Sequence, residues 1–312
     1  MGIAAYEQLE IKLAEWIDTD PRNMVVCSSG TAALHLACEV LRDQFQEIMV
    51  PDYTMVACAR AVTLASRRCH FVGCREDLLV DWEGFNLNYC AMLVHIYGRQ
   101  SVSPKPFRVQ IEDMAELHGP KPQEGTHAAC WSFYQNKIVH GEEGGAVWFK
   151  DVDHADVARE LRCLGFSAGH DFTHRPRGHN YRLANCLAEK ILASLEDFPQ
   201  EIARRREVEA SYNLLISDGW KMPPRQSPWV YDLRIPGLDR RSMLDAVHGM
   251  NSKGIAARAG FCPMTAQPEY DHSWITQPET LRAYDEVMYL PLTVAPADVP
   301  GIVGLLEDYV RI

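Results

Sequence analysis

The sequence predicts an α/β fold, with a mostly parallel sheet in a large N-terminal domain and a small α+β domain after it. Short apolar runs alternate with helix-forming stretches along the first half, as in parallel strands joined by helices. After Gly219 the segments shorten and prolines become frequent. We therefore predict a large domain over residues 1–200 and a small C-terminal domain over residues 201–312.

The elements of the large domain follow one another from the N-terminus. Tyr6–Ile17 has apolar residues at helical spacing and is predicted to be a helix. The apolar run Met24–Cys27 is predicted to be a buried strand that leads, through a turn of small residues, into a helix over Ala32–Leu41. The next predicted elements are strands at Glu47–Val50, Cys69–Val72, Met92–Ile96 and Val109–Glu112 and a helix at Ala57–Ala65.

Helical patterns dominate after residue 180. Leu183–Leu215 is predicted to be helical, with a bend or break at Pro199. We expect the basic run Arg204–Arg206 within it to be a solvated helix face rather than a nucleic-acid contact. The last predicted element is a helix over Pro300–Tyr309.

Composition excludes several classes of protein. The 312 residues are 47% hydrophobic and 23% charged, which is typical of a globular protein. Because 42 acidic residues outnumber 31 basic ones, for a net charge of −11, a general nucleic-acid binder is not expected. The ten cysteines form no CxxC pair, so no metal site is predicted. With neither a signal-peptide pattern nor a membrane-spanning run, the predicted location is the cytoplasm.

Three short segments carry residue types that suit a phosphate-bearing cofactor. Gly30 and Thr31 lie in a turn before a helix, where backbone N–H groups and the helix dipole favour a phosphate. Asp113 ends an apolar strand, at the position where open α/β sheets place ligands. Lys137 closely follows an aromatic segment. Singly, these residues also fit a common turn, a helix cap and a surface lysine.

The order of these segments suits pyridoxal phosphate (PLP). That cofactor requires an amine for its Schiff base, an anion that keeps its pyridine nitrogen protonated, and a phosphate site. The carboxylate stabilises the pyridinium charge, which in turn draws electron density from a substrate carbanion. The sequence therefore predicts PLP as the cofactor, with Lys137 as the amine and Asp113 as the anion.

Seven ordered motifs are together more specific than any one of them. They are SSGTAALHLA, VPDYTMVACARAV, VHIYGRQ, IEDMAELHG, SFYQNK with its downstream EEGG, GHNYRLANCLAEKIL and GIAARAGFCP. In this order they resemble the DegT/DnrJ/EryC1/StrS family of PLP-dependent sugar aminotransferases, from about Tyr6 to Pro291. The resemblance implies fold type I, with a mixed seven-stranded sheet and a small C-terminal domain. It also implies a homodimer whose active sites lie at the subunit interface.

The resemblance also implies roles for individual residues. Lys137 is expected to form the Schiff base with PLP and, once substrate displaces it, to act as the base that moves a proton between substrate and cofactor. Asp113 is expected to pair with the pyridine nitrogen. Contacts to the phosphate are expected from Gly30, Thr31, Ser132 and, across the dimer, Asn180.

Three positions depart from the usual family pattern. Glu116 stands where a glutamine usually donates to the phenolic oxygen of the cofactor, so its carboxyl must be protonated, turned away or paired with a cation. Met55 stands where an aromatic side chain usually covers the cofactor ring; either Met55 or Tyr53 is predicted to cover it. Glu142 brings a charge to a position that is usually glycine.

The resemblance also points to a shortened member of the family. We expect the usual leader before the segment matching Tyr6 to be absent. Only ten residues separate Gly98 from Val109, where a helix usually precedes the strand. Both segments bear on the substrate side of the site, so cofactor chemistry is expected to be intact while substrate recognition differs.

The first functional hypothesis is transfer of an amino group, from glutamate, to a keto-sugar linked to a nucleotide. Lys137 distinguishes this reaction from that of the family's sugar dehydratases, which carry histidine there. A PLP reaction on another amine or carbonyl compound and a non-catalytic regulatory protein are the alternatives; the presence of Asp113 and Lys137 argues against the latter. His95 and Arg258 are candidate substrate contacts, with a core histidine and a surface salt bridge as their structural alternatives.

Overall fold

A seven-stranded sheet lies at the centre of the N-terminal part of the chain. The computed structural model describes residues 3–166, 172–174, 176–270 and 276–310. Within these residues the strands of this sheet are β1 (Met24–Cys27), β2 (Glu47–Pro51), β3 (Arg68–Val72), β4 (Cys90–Val94), β5 (Val109–Asp113), β6 (Ala128–Ser132) and β7 (Gly145–Phe149).

The sheet is mixed but mostly parallel. Its strand order is β1-β7-β6-β5-β4-β2-β3, and the five strands from β6 to β3 pair in parallel. The strand β7 runs antiparallel to both of its neighbours, β6 and β1. The predicted α/β class with a mostly parallel sheet is therefore confirmed.

Helices cover both faces of this sheet. The helices in the described residues are α1 (Ala5–Trp16), α2 (Gly30–Leu41), α3 (Val56–Leu64), α4 (Val152–Arg162), α5 (Asn185–Glu196), α6 (Phe198–Leu215), α7 (Arg240–Ser252), α8 (Pro278–Glu286) and α9 (Val299–Tyr309). Helices α2, α3 and α4 share a hydrophobic core with one face of the sheet. Helices α1 and α5 share a second core with the opposite face. Successive residues of β1, β6 and β7 alternate between these two cores because strand side chains alternate in direction.

A three-stranded antiparallel sheet organises the C-terminal part. Its strands β8 (Tyr231–Arg234), β10 (Val287–Leu290) and β9 (Arg258–Ala259) lie in that order. Together with α6, α7 and α9 they surround a separate hydrophobic core. The division predicted after residue 200 falls inside α6, which packs against both α5 and α9. That division stays a prediction.

Several element boundaries differ from the sequence prediction. Helix α2 begins at Gly30, two residues earlier than predicted, because the Ser29 hydroxyl accepts a hydrogen bond from Ala32 N and caps the helix. Strand β4 ends at Val94 rather than Ile96, and Tyr97 next adopts left-handed dihedral angles of φ 50° and ψ 30°. The strands β6 and β7 were absent from the prediction.

Two other predictions concern the connections. The break expected at Pro199 is present: α5 ends at Glu196 and α6 begins at Phe198, with the proline in its first turn, where no N–H donor is needed. The segment between Gly98 and Val109 contains no helix, in agreement with its short length. None of the helices in the described residues has both the length and the apolar composition that crossing a membrane requires.

Candidate active site

A cavity of about 330 Å³ opens at the carboxyl ends of the parallel strands. Strands β4, β5 and β6, the N-terminus of α2 and the loop between β6 and β7 all contribute to its wall. The predicted site residues that line it are Gly30, Thr31, Met55, His95, Asp113, Glu116, Ser132 and Lys137. Residues far apart in sequence thus meet because the strands end at the same edge of the sheet.

The N-terminus of α2 forms one end of the cavity. Gly30 and Thr31 are its first residues, so their backbone N–H groups lie in the turn that a helix leaves without internal partners. A Cβ atom at Gly30 would lie 2.6 Å from the Cβ atom of Ser132, so only glycine allows this turn to approach β6 so closely. This approach places the Ser132 hydroxyl beside the helix N-terminus.

Asp113 ends β5 and is held by two hydrogen bonds. Its Oδ1 accepts from the backbone N–H of Ala115 at 2.9 Å, and its Oδ2 accepts from the Cys58 thiol at 3.0 Å. Burial, reinforced by the charge of Asp113, raises the pKa of Cys58 well above its usual value, so the thiol keeps the proton that it donates. The carboxylate is therefore fixed in orientation at the cavity wall.

Lys137 follows β6 in a tight turn, in which its N–H donates to Tyr134 O at 2.8 Å. Its side chain is buried, with Nζ 4.0 Å from Glu116 Oε1 and 3.8 Å from the ring centroid of Trp229. Burial lowers the pKa of Lys137, although the nearby carboxylates oppose this effect. A lowered pKa increases the fraction of neutral, nucleophilic amine.

Glu116 is fixed by the backbone at Tyr97, whose N–H donates to Oε2 at 2.7 Å. Burial raises the pKa of Glu116 from 4.5 to about 7, with Lys137 and the Tyr97 N–H acting in the opposite direction. Of the three arrangements that the sequence left open, the geometry is closest to pairing with a cation, since Lys137 Nζ lies 4.0 Å away. Its orientation toward a cofactor oxygen stays a prediction.

The aminotransferase motifs seen in the sequence correspond to a family profile. The profile of the DegT/DnrJ/EryC1/StrS aminotransferase family matches residues 4–88 and 108–303. The chain belongs to this family. The interval between the two matched ranges contains the short, helix-free connection that precedes β5. Family membership makes the protein a PLP-dependent aminotransferase.

Individual relatives are aminotransferases or sugar-nucleotide enzymes by name, and a solved structure shares the fold. GDP-perosamine synthase of Caulobacter vibrioides is 28% identical over 286 residues, which cover 80% of this chain and 75% of that protein. UDP-2-acetamido-2-deoxy-3-oxo-D-glucuronate aminotransferase of Pseudomonas aeruginosa is 25% identical over 91% of this chain and 84% of that protein. PseC of Helicobacter pylori, an aminotransferase of pseudoaminic acid biosynthesis, superposes with a TM-score of 0.86 at 18% identity, over 100% of this chain and 92% of that one.

The side chains of this family member's cavity fit PLP. The cavity offers a buried amine at Lys137, a fixed carboxylate at Asp113 and, at Gly30, a turn that a Cβ atom would obstruct. These three features match the carbonyl, the pyridine nitrogen and the phosphate of the cofactor. When bound, PLP supplies a carbonyl for the amino group and an electron-poor ring that stabilises negative charge.

The Glu116 carboxyl leads to a prediction about pH and stability. Burial raises the pKa of Glu116 from 4.5 to about 7 in the folded protein. The favourable contribution of its protonated carboxyl to the unfolding free energy is therefore complete below pH 4.5 and is lost as the pH rises through 7. Between these limits, the unfolding free energy of the cofactor-free protein should fall by about 3 kcal/mol relative to Glu116→Gln. Urea unfolding of both proteins at pH 4.5 and pH 8 measures this difference.

Glu124→Gln, a substitution of an exposed carboxylate, provides the control for this experiment. Its difference from the wild type should be the same at both pH values. A difference for Glu116→Gln that does not change with pH would contradict the placement of a buried, costly charge at this position.

His95 has features of both a cavity-lining residue and a hydrogen-bonded core histidine. It lines the cavity, yet both ring nitrogens have partners: Nε2 lies 2.8 Å from Glu112 Oε2, and Nδ1 accepts from Ser101 N at 2.9 Å. Because Nδ1 is an acceptor, the proton resides on Nε2, which donates to the carboxylate. His95 therefore presents a fixed ring to the cavity, and its contact with substrate stays a prediction.

Three other predicted residues lie outside this cavity. Tyr53 is buried behind it, with its hydroxyl 3.2 Å from that of Tyr97, whereas Met55 lies at the cavity and is 50% exposed. Asn180 is exposed and pairs with Cys163 in an isolated bridge. Arg258 lines a neighbouring cavity of about 340 Å³. The roles predicted for these three residues remain predictions.

Glu142 occupies the usual glycine position of the family. It has a positive φ of 73°, which glycine adopts more readily, and its side chain pairs with Lys190 at the surface.

Among the described residues, no group of three or more His, Cys, Asp or Glu side chains could hold a metal ion.

The cavity also contains residues that sequence reasoning did not predict. Trp229, Phe261 and Tyr289 reach it from the C-terminal part, and Asn136 and Glu143 come from the loop after β6. Phe261 lies within the family motif GIAARAGFCP, which offered a signal for it. Trp229 and Tyr289 lie in no quoted motif, so their contribution depends on tertiary packing.

Proposed function

We propose that this protein transfers an amino group from glutamate to a keto-sugar carried by a nucleotide. The single observation that supports this proposal best is the buried Lys137 amine, which faces the same cavity as Asp113 and the N-terminus of α2. Membership of the aminotransferase family gives the reaction class. Two relatives whose names specify GDP- and UDP-linked sugars support the substrate class.

The residues of the cavity have separate roles in the proposed reaction. In this proposal, Lys137 Nζ takes a proton from the substrate carbon and returns it during the transfer, which its lowered pKa supports by keeping part of the amine neutral. The Asp113 carboxylate offers a fixed negative charge to the pyridine nitrogen. Ser132 and the first N–H groups of α2 would hold the phosphate.

The proposal includes a homodimer in the cytoplasm. Asn180 is exposed and lies outside the cavity of its own subunit, so it is available to complete a partner's site. The ten cysteines of the chain are free thiols, which suits a reducing compartment.

The experiment follows the visible absorbance of the PLP-loaded protein. L-Glutamate should remove this absorbance and release an equivalent of 2-oxoglutarate. A GDP- or UDP-linked 4-keto- or 3-keto-sugar should then restore the absorbance and gain an amino group, as detected by mass spectrometry. D-Glutamate is the control and should leave the spectrum unchanged.

The outcomes separate the parts of the proposal. If L-glutamate has no effect while another amine changes the spectrum, the donor is wrong. If the aminated cofactor forms but only a carbonyl compound without a nucleotide restores the absorbance, the acceptor class is wrong. A protein that binds no PLP would exclude the aminotransferase reaction altogether.

A further inference from the structure

One wall of the cavity comes from the C-terminal part of the chain, through Trp229. This side chain is only 4% exposed, and the centroid of its ring lies 3.8 Å from Lys137 Nζ. Its indole N–H donates to Asn136 O at 2.7 Å. One tryptophan therefore contacts both the reactive amine and the backbone immediately before it.

We propose that Trp229 is a positioning residue for Lys137. The ring face fixes the amine and favours its charged form, while the indole N–H fixes the backbone turn from which the lysine side chain extends. The proposal rests on Lys137 being the reactive lysine of the proposed function. Through Trp229, the C-terminal part of the chain would also determine the position and the charge of that lysine.

The main chain at Trp229 is held rigidly enough for this role. Its carbonyl accepts from Arg205 Nη1 at 2.6 Å, and Arg205 Nε donates to Glu201 at 2.6 Å. Arg205 is 3% exposed, so the prediction of a solvated face for the whole run Arg204–Arg206 is wrong at this position. The arginine lies inward because the segment before β8 returns over α6 and requires a donor for its carbonyl.

The same segment is also fixed against the N-terminal part. Ser227 N donates to Gly98 O at 3.0 Å. Gly98 has a φ of +79°, and a Cβ atom there would lie 1.8 Å from Ser227 O, so no larger residue fits beneath this segment. With Arg205 on one side and Gly98 on the other, Trp229 cannot withdraw from Lys137 without disrupting both contacts.

The electrostatic consequence has a definite sign. A cation over an aromatic face is stabilised, and the effect grows when water is excluded. Burial disfavours the charge of Lys137, and the ring of Trp229 opposes that effect. The other titratable groups whose charges act on Lys137, or on which its charge acts, are Glu116, Asp113, Cys58 and His118.

Removal of the ring should therefore make Lys137 less basic. In Trp229→Leu the ratio of charged to neutral amine should fall about tenfold, which is a shift of about one pH unit toward lower pH. Trp229→Phe retains an aromatic face, so its shift should be much smaller. Because it loses the indole N–H, its glutamate reaction should slow about fivefold.

The measurement requires neither substrate nor cofactor. The full-length, cofactor-free protein is treated with trinitrobenzenesulfonate over a range of pH, and labelling of Lys137 is quantified by peptide mass spectrometry. The midpoint of this profile reports the basicity of Lys137 and remains informative even if the proposed sugar substrate is wrong. The glutamate reaction of the PLP-loaded variants is measured separately, as kcat and KM.

Trp148→Phe is the matched control. Trp148 lies on β7, where its indole N–H donates to Thr19 Oγ1 at 2.9 Å, away from the cavity. This variant should leave both the labelling midpoint and the glutamate reaction unchanged. If Trp229→Leu does not fold, Trp229→Met makes the same comparison with a longer apolar side chain.

Two results would overturn the proposal. A labelling midpoint for Trp229→Leu or Trp229→Met equal to that of Trp148→Phe would show that the ring does not stabilise the charged amine. A kcat for Trp229→Phe equal to the wild-type value would show that the indole N–H does not position the lysine. A change in KM alone would assign Trp229 to substrate binding instead.

Discussion

Replacement of Lys137 by alanine should abolish the visible absorbance of the PLP-bound protein and lower the transamination rate by at least about 10²–10⁴-fold. The structure places the lysine amine in the cavity, beside Glu116 and facing the same space as Asp113. Alanine removes both the amine that would bind the cofactor and the group that would move the proton. No other lysine lines this cavity within the described residues.

The fold of this variant should be intact. Lys137 is buried and its pKa is lowered by burial, so its charge is a cost to the folded state that alanine removes. Alanine also leaves the buried Glu116 carboxyl and the Trp229 ring without their cation, so thermal unfolding of the cofactor-free variant should occur near the wild-type temperature. Lys190→Ala, which removes an exposed lysine paired with Glu142, is the control and should retain the absorbance and the activity. A coloured, active Lys137→Ala protein would refute the assignment.

Much of this site could be predicted from sequence because its parts follow elements with strong local signals. Asp113 ends an apolar strand and Gly30 lies in a turn between strand and helix, so the sequence alone assigns both to the edge of the sheet. The order of the turn, the acid and the lysine added Lys137, and the resemblance to the family added Ser132. These residues do line one cavity.

What could not be predicted depends on long-range packing. Trp229 approaches Lys137 because the segment before β8 crosses over Gly98, a contact between parts of the chain about 130 residues apart. Arg205 is buried by the same segment, although its sequence surroundings are those of a solvated helix. Polar residues occur all around α6, so helical periodicity does not show that Arg205 and Glu209 face inward.

The strands β6 and β7 were missed for a related reason. Ala128–Ser132 and Gly145–Phe149 are short, with five residues each, and the loop that joins them contains Lys137. Small residues such as Ala128 and Gly145 have low strand propensity, yet both strands are nearly fully buried within the sheet. Tertiary pairing outweighed local preference here.

Asp113→Asn should slow the reaction with glutamate roughly 10²–10⁴-fold while PLP remains bound. Asparagine has the shape of aspartate but no negative charge, so it cannot stabilise a proton on the pyridine nitrogen; loss of one partner of a buried ion pair costs about 3–5 kcal/mol. Lys137, Ser132 and the N-terminus of α2 are unchanged, so the cofactor should still bind. Stopped-flow absorbance after mixing with L-glutamate measures the rate, and the PLP content is measured separately.

Cys58→Ser distinguishes the charge of Asp113 from its orientation. Serine retains a hydroxyl donor toward Oδ2, which the thiol contacts at 3.0 Å, so the carboxylate should keep both its charge and its position. We expect this variant to react within about threefold of the wild type, because only one hydrogen bond is altered. If Asp113→Asn reacts as fast as Cys58→Ser, the carboxylate does not act on the cofactor nitrogen. If Cys58→Ser is as slow as Asp113→Asn, the orientation of Asp113 limits the reaction as strongly as its charge.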